Sequence, residues 1–477
     1  LDRGRHGAER RGRAGTIPDP RRSPLGLSAD PGGFPLYKNG VLVGGVGVAA
    51  DGDYGFDRNI LDVEDDAEEA IAFAATNGFA APEDIRAERV TVDGTSLRFS
   101  DANSGTLRST PSSAPAFASL PAGTGAFTPV TGYYAGSGAL AGQVYGTEGS
   151  GLRLASTSEF SIAGAMVLSD GGGQGRFPIR AGTDAADGLT PLSTTEVRAV
   201  LEEAFTIMSR ARGQIRRPLD SRAQVSISVV DSRGQILGLV RSPDAPIFGI
   251  DVSVQKARTT ALLSGLAGAS DLLGDPSADV RGFVQKTRDF LPSATAFTGQ
   301  TAFAAKSIGN LARPFFPDGE VGRPNGPLSR PITEWSPLST GLQSALILTN
   351  IGQHLNFVTG ASATDTPQRC TFLPEVAPGQ NRAQNGIQIF SGSVPIYRGN
   401  RLVGSIGVSG DGIDQDDMIS FLGLHNAGLR VGGISNAPAS IRADQLLAGP
   451  TQTRLRYVGC PFAPFLDTAE QNVCQGK

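Results

Sequence analysis

The sequence predicts an α+β fold, an antiparallel sheet flanked by helices, and three observations carry that expectation. A strand-turn-strand pattern around Lys38-Asn39-Gly40 returns far downstream around Arg398-Gly399-Asn400. A different hairpin, turning at Asp231-Ser232-Arg233-Gly234, lies between the two copies. Amphipathic helical patterns stand before and after it. With one long segment set aside, the order is helix, hairpin, helix, hairpin, helix, and two antiparallel hairpins then form one sheet with helices on its faces.

Composition bounds what such a chain can be. At 477 residues it is long enough for two or three domains. Hydrophobic residues at 39% and charged residues at 18% describe a globular protein, whereas 63 Gly and 31 Pro call for long irregular stretches. The formal net charge is -4 and the arginines are dispersed, which excludes the concentrated positive field that nucleic-acid binding needs. No run approaches the roughly 18–20 apolar residues of a transmembrane helix. The chain begins at Leu1 in an Arg/Gly/Pro-rich run, so it reads as processed or as lacking an upstream part.

Residues 1–32 lack apolar periodicity and read as an extended arm. Residues 33–85 hold the first hairpin, Phe34 to Tyr37 and Val41 to Val48 around an Asn-Gly turn, then an acidic loop and a helix near Val63 to Asn77. Its counterpart runs from Val394 to Val408. At one constant offset about half the positions are identical, among them Pro35 and Pro395, Tyr37 and Tyr397, Leu42-Val43-Gly44 and Leu402-Val403-Gly404, and Asp51-Gly52 and Asp411-Gly412. This is an internal repeat.

Residues 86–190 carry short alternating runs, such as Arg89 to Val92, Ser96 to Phe99 and Gly151 to Leu154, and read as a small β-rich segment that bridges the copies or pairs with the first hairpin, the alternative being that the first copy's missing half lies upstream of Leu1. The main domain spans 191–445. Ser193 and Glu196 form a capping box ahead of Val197, Val200, Leu201, Ala204, Phe205 and Met208 at helical spacing. Strands follow at Val225 to Val229 and Gln235 to Arg241, then a helix from Ile250 to Leu263. An insertion at about 266–388 brings Phe- and Pro-rich loops and one helix, Leu342 to Phe357, of the length that marks a functional elaboration or an interface. Residues 446–477 form a C-terminal tail.

Val229 to Leu237, Arg241 to Pro246, and Asp251 with Lys256 to Ala261 resemble the first half of a GlcG/HbpS-like domain. Pro395 to Gly410 with Asp414, Gln415, Asp416 and Asp417 resembles its last half. The resemblance, which extends to the C-terminal domain of PduO-type adenosyltransferases, covers about a third of the chain. It implies a sheet flanked by helices, oligomerisation, and binding of haem or another tetrapyrrole. The long insertion, the extra half-copy and the Cys-bearing tail depart from the family pattern, and the family's haem ligands are not fixed by motif.

Histidine is the commonest haem-iron ligand, and the chain has three, His6, His354 and His425. His6 falls in the arm and is set aside. His354 sits on the helix from Leu342 among Leu346, Ile351, Leu355 and Phe357, and His425 just past the last helix. Each is a candidate ligand, with a satisfied boundary histidine as the alternative. Arg241 and Lys256 are candidates for the anionic propionates, against turn capping and ion pairing. Asp51, Asp53 and Asp57 alternate as calcium-loop oxygens do, but the glycine is misplaced, and a solvated acidic turn leading into a helix N-terminus accounts for them better. Gly44, Gly47, Gly404 and Gly407 lie within strands and read as sites of close packing or a bulge, not a phosphate loop.

Cys370, Cys460 and Cys474 allow a Cys460–Cys474 or a Cys370–Cys460 bridge, against three unpaired buried thiols. No C-x-x-C pair exists, which excludes covalent c-type haem attachment and a zinc ribbon. No Ser-His-Asp or Cys-His set is supported. The sequence therefore points to a non-catalytic haem-binding protein of the periplasm or extracellular space, or to an accessory subunit of a larger assembly in which the domain binds no ligand.

Overall fold

A computed structural model describes residues 30–50, 62–126, 143–291, 293–336, 339–367 and 369–477. Among these, Gln143–Asp318 and Gly322–Lys477 form one compact unit, and residues 30–126 with Gly319–Val321 form another.

The smaller unit begins with β1 (Gly33–Lys38) and β2 (Val41–Gly47), an antiparallel hairpin. Asn39 and Gly40 both take positive φ, as a tight turn between two strands requires. The helix α1 (Ala67–Ala75) follows, its first turn capped by Asp66, whose carboxylate accepts from Glu69 N–H at 2.6 Å. Phe34 fixes the hairpin to this helix, its ring edge-on to Phe73 at 5.8 Å and to Phe99 at 5.7 Å.

The larger unit is built on a seven-stranded sheet. Its strands are β3 (Leu152–Leu154), β4 (Met166–Leu168), β5 (Ser226–Val230), β6 (Ile236–Arg241), β7 (Ser393–Arg398), β8 (Arg401–Ser409) and β9 (Ser435–Asn436). They run in the spatial order β9-β7-β8-β5-β6-β4-β3. Among the described residues, part of the expected β-rich segment belongs to this sheet. Leu152–Leu154 and Met166–Leu168 extend it beyond β6.

At the centre, β8 pairs antiparallel with β5, Ser405 opposite Val230, Ile406 opposite Val229 and Val408 opposite Ile227. The two hairpins that the sequence separates by more than a hundred residues thus share one sheet. Period-two alternation sends Ile227, Val229, Ile406 and Val408 to one face. There they pack with α2 (Thr194–Arg210) and α8 (Ile413–Val431), which bury Val200, Leu201, Phe205, Met418, Ile419 and Leu422. The expected capping box starts α2, Ser193 Oγ accepting from Glu196 N–H while the Glu196 carboxylate accepts from Ser193 N–H.

The opposite face carries Ser226, Ser228, Ser393 and Ser405, and α3 (Gly249–Ser264) lies against it. Small residues let the helix come close. A Cβ at Gly407 would collide with the Ser253 carbonyl of α3, and one at Gly404 with the Val230 carbonyl of β5. Thr260 of α3 reaches the Ser393 hydroxyl at 2.7 Å and also bonds Ser405, whereas the buried hydroxyls of Ser226 and Ser228 find no partner across the contact.

The insertion is more ordered than the sequence suggests. Besides α7 (Leu342–Val358) it holds α4 (Gly268–Leu273), α5 (Ala278–Phe290) and α6 (Ala305–Leu311). These helices close a second core in which Phe283, Val284, Phe297, Phe303, Leu311 and Phe316 pack with Leu262 and Leu263 of α3. Val280, Phe283, Val284 and Thr287 do fall at helical spacing, but the Pro-rich flanks obscure so short a period. In the tail, Cys460 and Cys474 are joined in a disulfide, which is the first of the two pairings expected.

Gly407→Val should lower stability by at least about 3 kcal/mol, because the clash is with backbone and neither helix nor strand can yield without breaking the sheet. Chemical denaturation of the variant beside the unaltered chain checks this, and an unchanged midpoint would contradict the close approach of α3.

Candidate functional site

The helix α7 differs from its neighbours in being buried over only its first turns, where Leu342, Ala345 and Leu346 enter the second core. Beyond them Leu348, Ile351, Leu355 and Val358 recur at alternating intervals of three and four, which aligns them on one side of the helix. All four are exposed, as is Phe357. An apolar stripe of this kind, open to solvent on a well-formed helix, marks a surface that takes a ligand or a partner.

The chain after α7 folds back along the helix. Ser362 N–H donates to the Asn356 carbonyl at 2.9 Å, Asn350 Nδ2 donates to Thr366 Oγ1 at 2.7 Å, and Thr366 Oγ1 donates to Gln353 Oε1 at 3.1 Å. These bonds bring Asp365 to His354, whose Nδ1 lies 2.8 Å from Asp365 Oδ1. With Nδ1–H donated to the carboxylate, Nε2 carries the lone pair. The side chain is 37% exposed. It is also flanked by apolar groups, Ile351 one turn before, Val358 one turn after, and the Phe357 ring at 6.5 Å. An imidazole oriented by a carboxylate is the usual arrangement of a metal-binding histidine, in which the outer partner fixes the tautomer and raises basicity.

The other expected site residues lie elsewhere. The last helix runs to Val431, so His425 is on α8 and not beyond it. Burial, with the positive charge of Lys477 behind it, holds His425 below the usual histidine range. Arg241 is fully buried in the sheet and donates to Tyr145 Oη at 2.7 Å and to the Ala245 carbonyl. Lys256 is buried under α3, where Nζ bonds Asp416 Oδ2 at 2.9 Å and the Val408 carbonyl at 2.9 Å. Both cations are committed to the chain's own groups, so neither faces a surface where a propionate could reach it.

Burial pushes the Asp416 carboxyl up to about 6 against the pull of Lys256. Its neighbour Asp417, pushed up to about 7 by burial, accepts from the backbone N–H groups of Gly392 at 2.7 Å and Gly459 at 2.9 Å. This polar knot ties α3, α8, β8 and the tail together. Asp51, Asp53, Asp57 and His6 lie outside the described residues. Among the described residues no cluster of three or more His, Cys, Asp or Glu side chains converges to hold a metal ion, and no helix is long and apolar enough to cross a membrane. Cys370 is half-buried in the insertion, its N–H donating to the Gln384 carbonyl at 2.7 Å.

Two features escaped the sequence. Asp365 gave no signal, because it lies eleven positions after His354, beyond the end of α7 in irregular chain. A cleft of about 800 Å³ lined by Lys286, Phe290, Ser329, Arg330, Glu334 and Gln452 also forms between the insertion and the tail, from residues remote in sequence.

The family model described as haem degrading protein HbpS-like matches residues 200–308 and 351–424. The first match runs from α2 into α6, and the second from α7, including His354, to α8. Among solved structures the chain is similar to the Klebsiella pneumoniae protein ORFY of family model DUF336, at 16% identity and TM-score 0.22 over 52% of this chain and 92% of that one. It is also similar to PduOC in a haem complex, at 15% identity and TM-score 0.21 over 49% of this chain and 88% of that one. No curated protein matches.

Lys256→Met should be destabilised by about 3–5 kcal/mol at neutral pH, since Asp416 would be left buried without its cation. The raised Asp416 carboxyl sets the sign with pH. In the variant it holds a proton in the folded chain where the unfolded chain has lost it, so the folded form is favoured at low pH and the defect deepens as pH rises. Denaturation at pH 5.5 and at pH 8 checks both expectations, and a defect independent of pH would contradict the pairing.

Proposed function

Given that the chain carries an HbpS-like domain, we propose that it binds haem or another tetrapyrrole on the open side of α7, with His354 Nε2 as the axial ligand of the iron. The observation that carries this reading is the His354–Asp365 contact set in an exposed apolar stripe. Ile351, Leu355, Phe357 and Val358 would cover part of the macrocycle, and Asp365 would hold the imidazole in its metal-binding tautomer. Haem held there would supply an iron centre for redox or small-ligand chemistry. The chain's own part in this reading is to bind and orient the group.

The same reading places the protein outside the reducing cytoplasm, which the Cys460–Cys474 disulfide supports. Thiol titration of protein taken from its own host, denatured without reductant, should then find one reactive thiol per chain. Three thiols would sink the exported reading.

Titration with haemin should produce a saturable Soret band at micromolar concentration. His354→Ala should abolish or shift that band, His425→Ala should leave it unchanged, and Asp365→Asn should weaken binding about 10- to 100-fold. An unchanged band in both histidine variants would exclude histidine ligation, and no binding at micromolar haemin would reject the function.

The exposed stripe of α7 also favours a second reading, an accessory subunit in which a protein partner covers that helix. Light scattering of freshly purified protein separates the two. A haem-free chain that remains a stable monomer counts against the subunit.

A further inference from the structure

The two copies of the repeat are equivalent in fold as well as in sequence. In β1–β2, Phe34 faces Val46, Leu36 faces Gly44 and Tyr37 faces Leu42, with an irregularity between Leu36 and Tyr37. In β7–β8, Val394 faces Ile406, Ile396 faces Gly404 and Tyr397 faces Leu402, with the same irregularity between Ile396 and Tyr397. Every pair matches at one constant offset.

Their surroundings do not match. The second copy is covered on its β8 edge by β5 and on one face by α3, and Val403 is buried. Among the described residues β2 pairs with β1 alone, and Val41, Leu42 and Val43 are 63%, 58% and 57% exposed. The glycines make the difference specific. Gly404 and Gly407 are required because β5 and α3 leave no room for a Cβ. Gly44 and Gly47 occupy the same two positions in the first copy, yet a Cβ at either would meet nothing within 4 Å. The first hairpin thus keeps the clearances for a strand and a helix that the rest of the described chain does not supply.

We infer that β1–β2 is an acceptor for a helix-hairpin-helix half-domain that the described residues do not supply, which adds a strand antiparallel to the open edge of β2 and lays a helix across Gly47. The strand equivalent to β5 would be an alternating Ser/Val/Ile segment whose carbonyl seats at Gly44, as that of Val230 seats at Gly404. Main-chain pairing to an exposed edge, with side chains set by alternation, is an established mode of recognition. A second copy of this chain cannot donate the half-domain, because its own β5 is held between β6 and β8.

The test uses the whole chain and, as probe, a labelled synthetic peptide of residues 223–242, the chain's own hairpin of the required kind. Fluorescence anisotropy should show saturable binding, and hydrogen exchange should slow at residues 41–47 when the peptide is present. Gly44→Val and Gly47→Val should leave the thermal unfolding of the chain alone unchanged, in contrast to Gly407→Val, and should weaken peptide binding at least tenfold. Absence of saturable binding, or equal binding by both variants, overturns the inference. Protection of residues 41–47 that rises with chain concentration in the absence of peptide also overturns it, and assigns the edge to a second copy.

Discussion

The architecture depends on one contact, the antiparallel pairing of β8 with β5 beneath α3. Neither hairpin is a stable body alone, since two strands in water cannot bury enough apolar surface to offset the entropy of ordering them. Joined, they form the four central strands, and both layers of helices have a floor to pack on. The glycine at 407 and the serines beside it are the condition of that joint, because only small side chains let α3 lie against the strands.

The joint also explains why the buried charges are where they are. Lys256, Asp416 and Asp417 sit at the seam where α3, α8, β8 and the tail meet, and each is answered by a specific partner within 3 Å. Charges removed from water are tolerated only when so paired. Lys256 therefore serves the fold, and Arg241 is buried against the Tyr145 hydroxyl and the Ala245 carbonyl. The insertion has its own core, and α7 extends from it with Leu348, Ile351, Leu355 and Val358 exposed.

Repeat identity was legible in residues and proved to be identity of register. What the residues did not disclose is that the copies differ in environment: β7–β8 is the middle of a sheet and β1–β2 is an edge. A strand's alternation reports its own pleat and not who lies beside it. The short helices of the insertion were missed for a related reason, since six to thirteen residues between prolines carry too few periods to read.

The sequence by itself determined the α+β class, the hairpins and their turns, the capping box at Ser193, the amphipathic helices and the internal repeat, because each is encoded over a few consecutive residues. It also singled out His354 as a candidate. Tertiary structure alone decided that Arg241 and Lys256 are buried, that Cys460 pairs with Cys474, that Asp365 reaches His354, and that Gly407 is filled around while Gly47 is not. Those outcomes depend on which distant segments are brought within a few ångströms, and close contact between segments far apart in the chain leaves no local period or spacing from which it could be read.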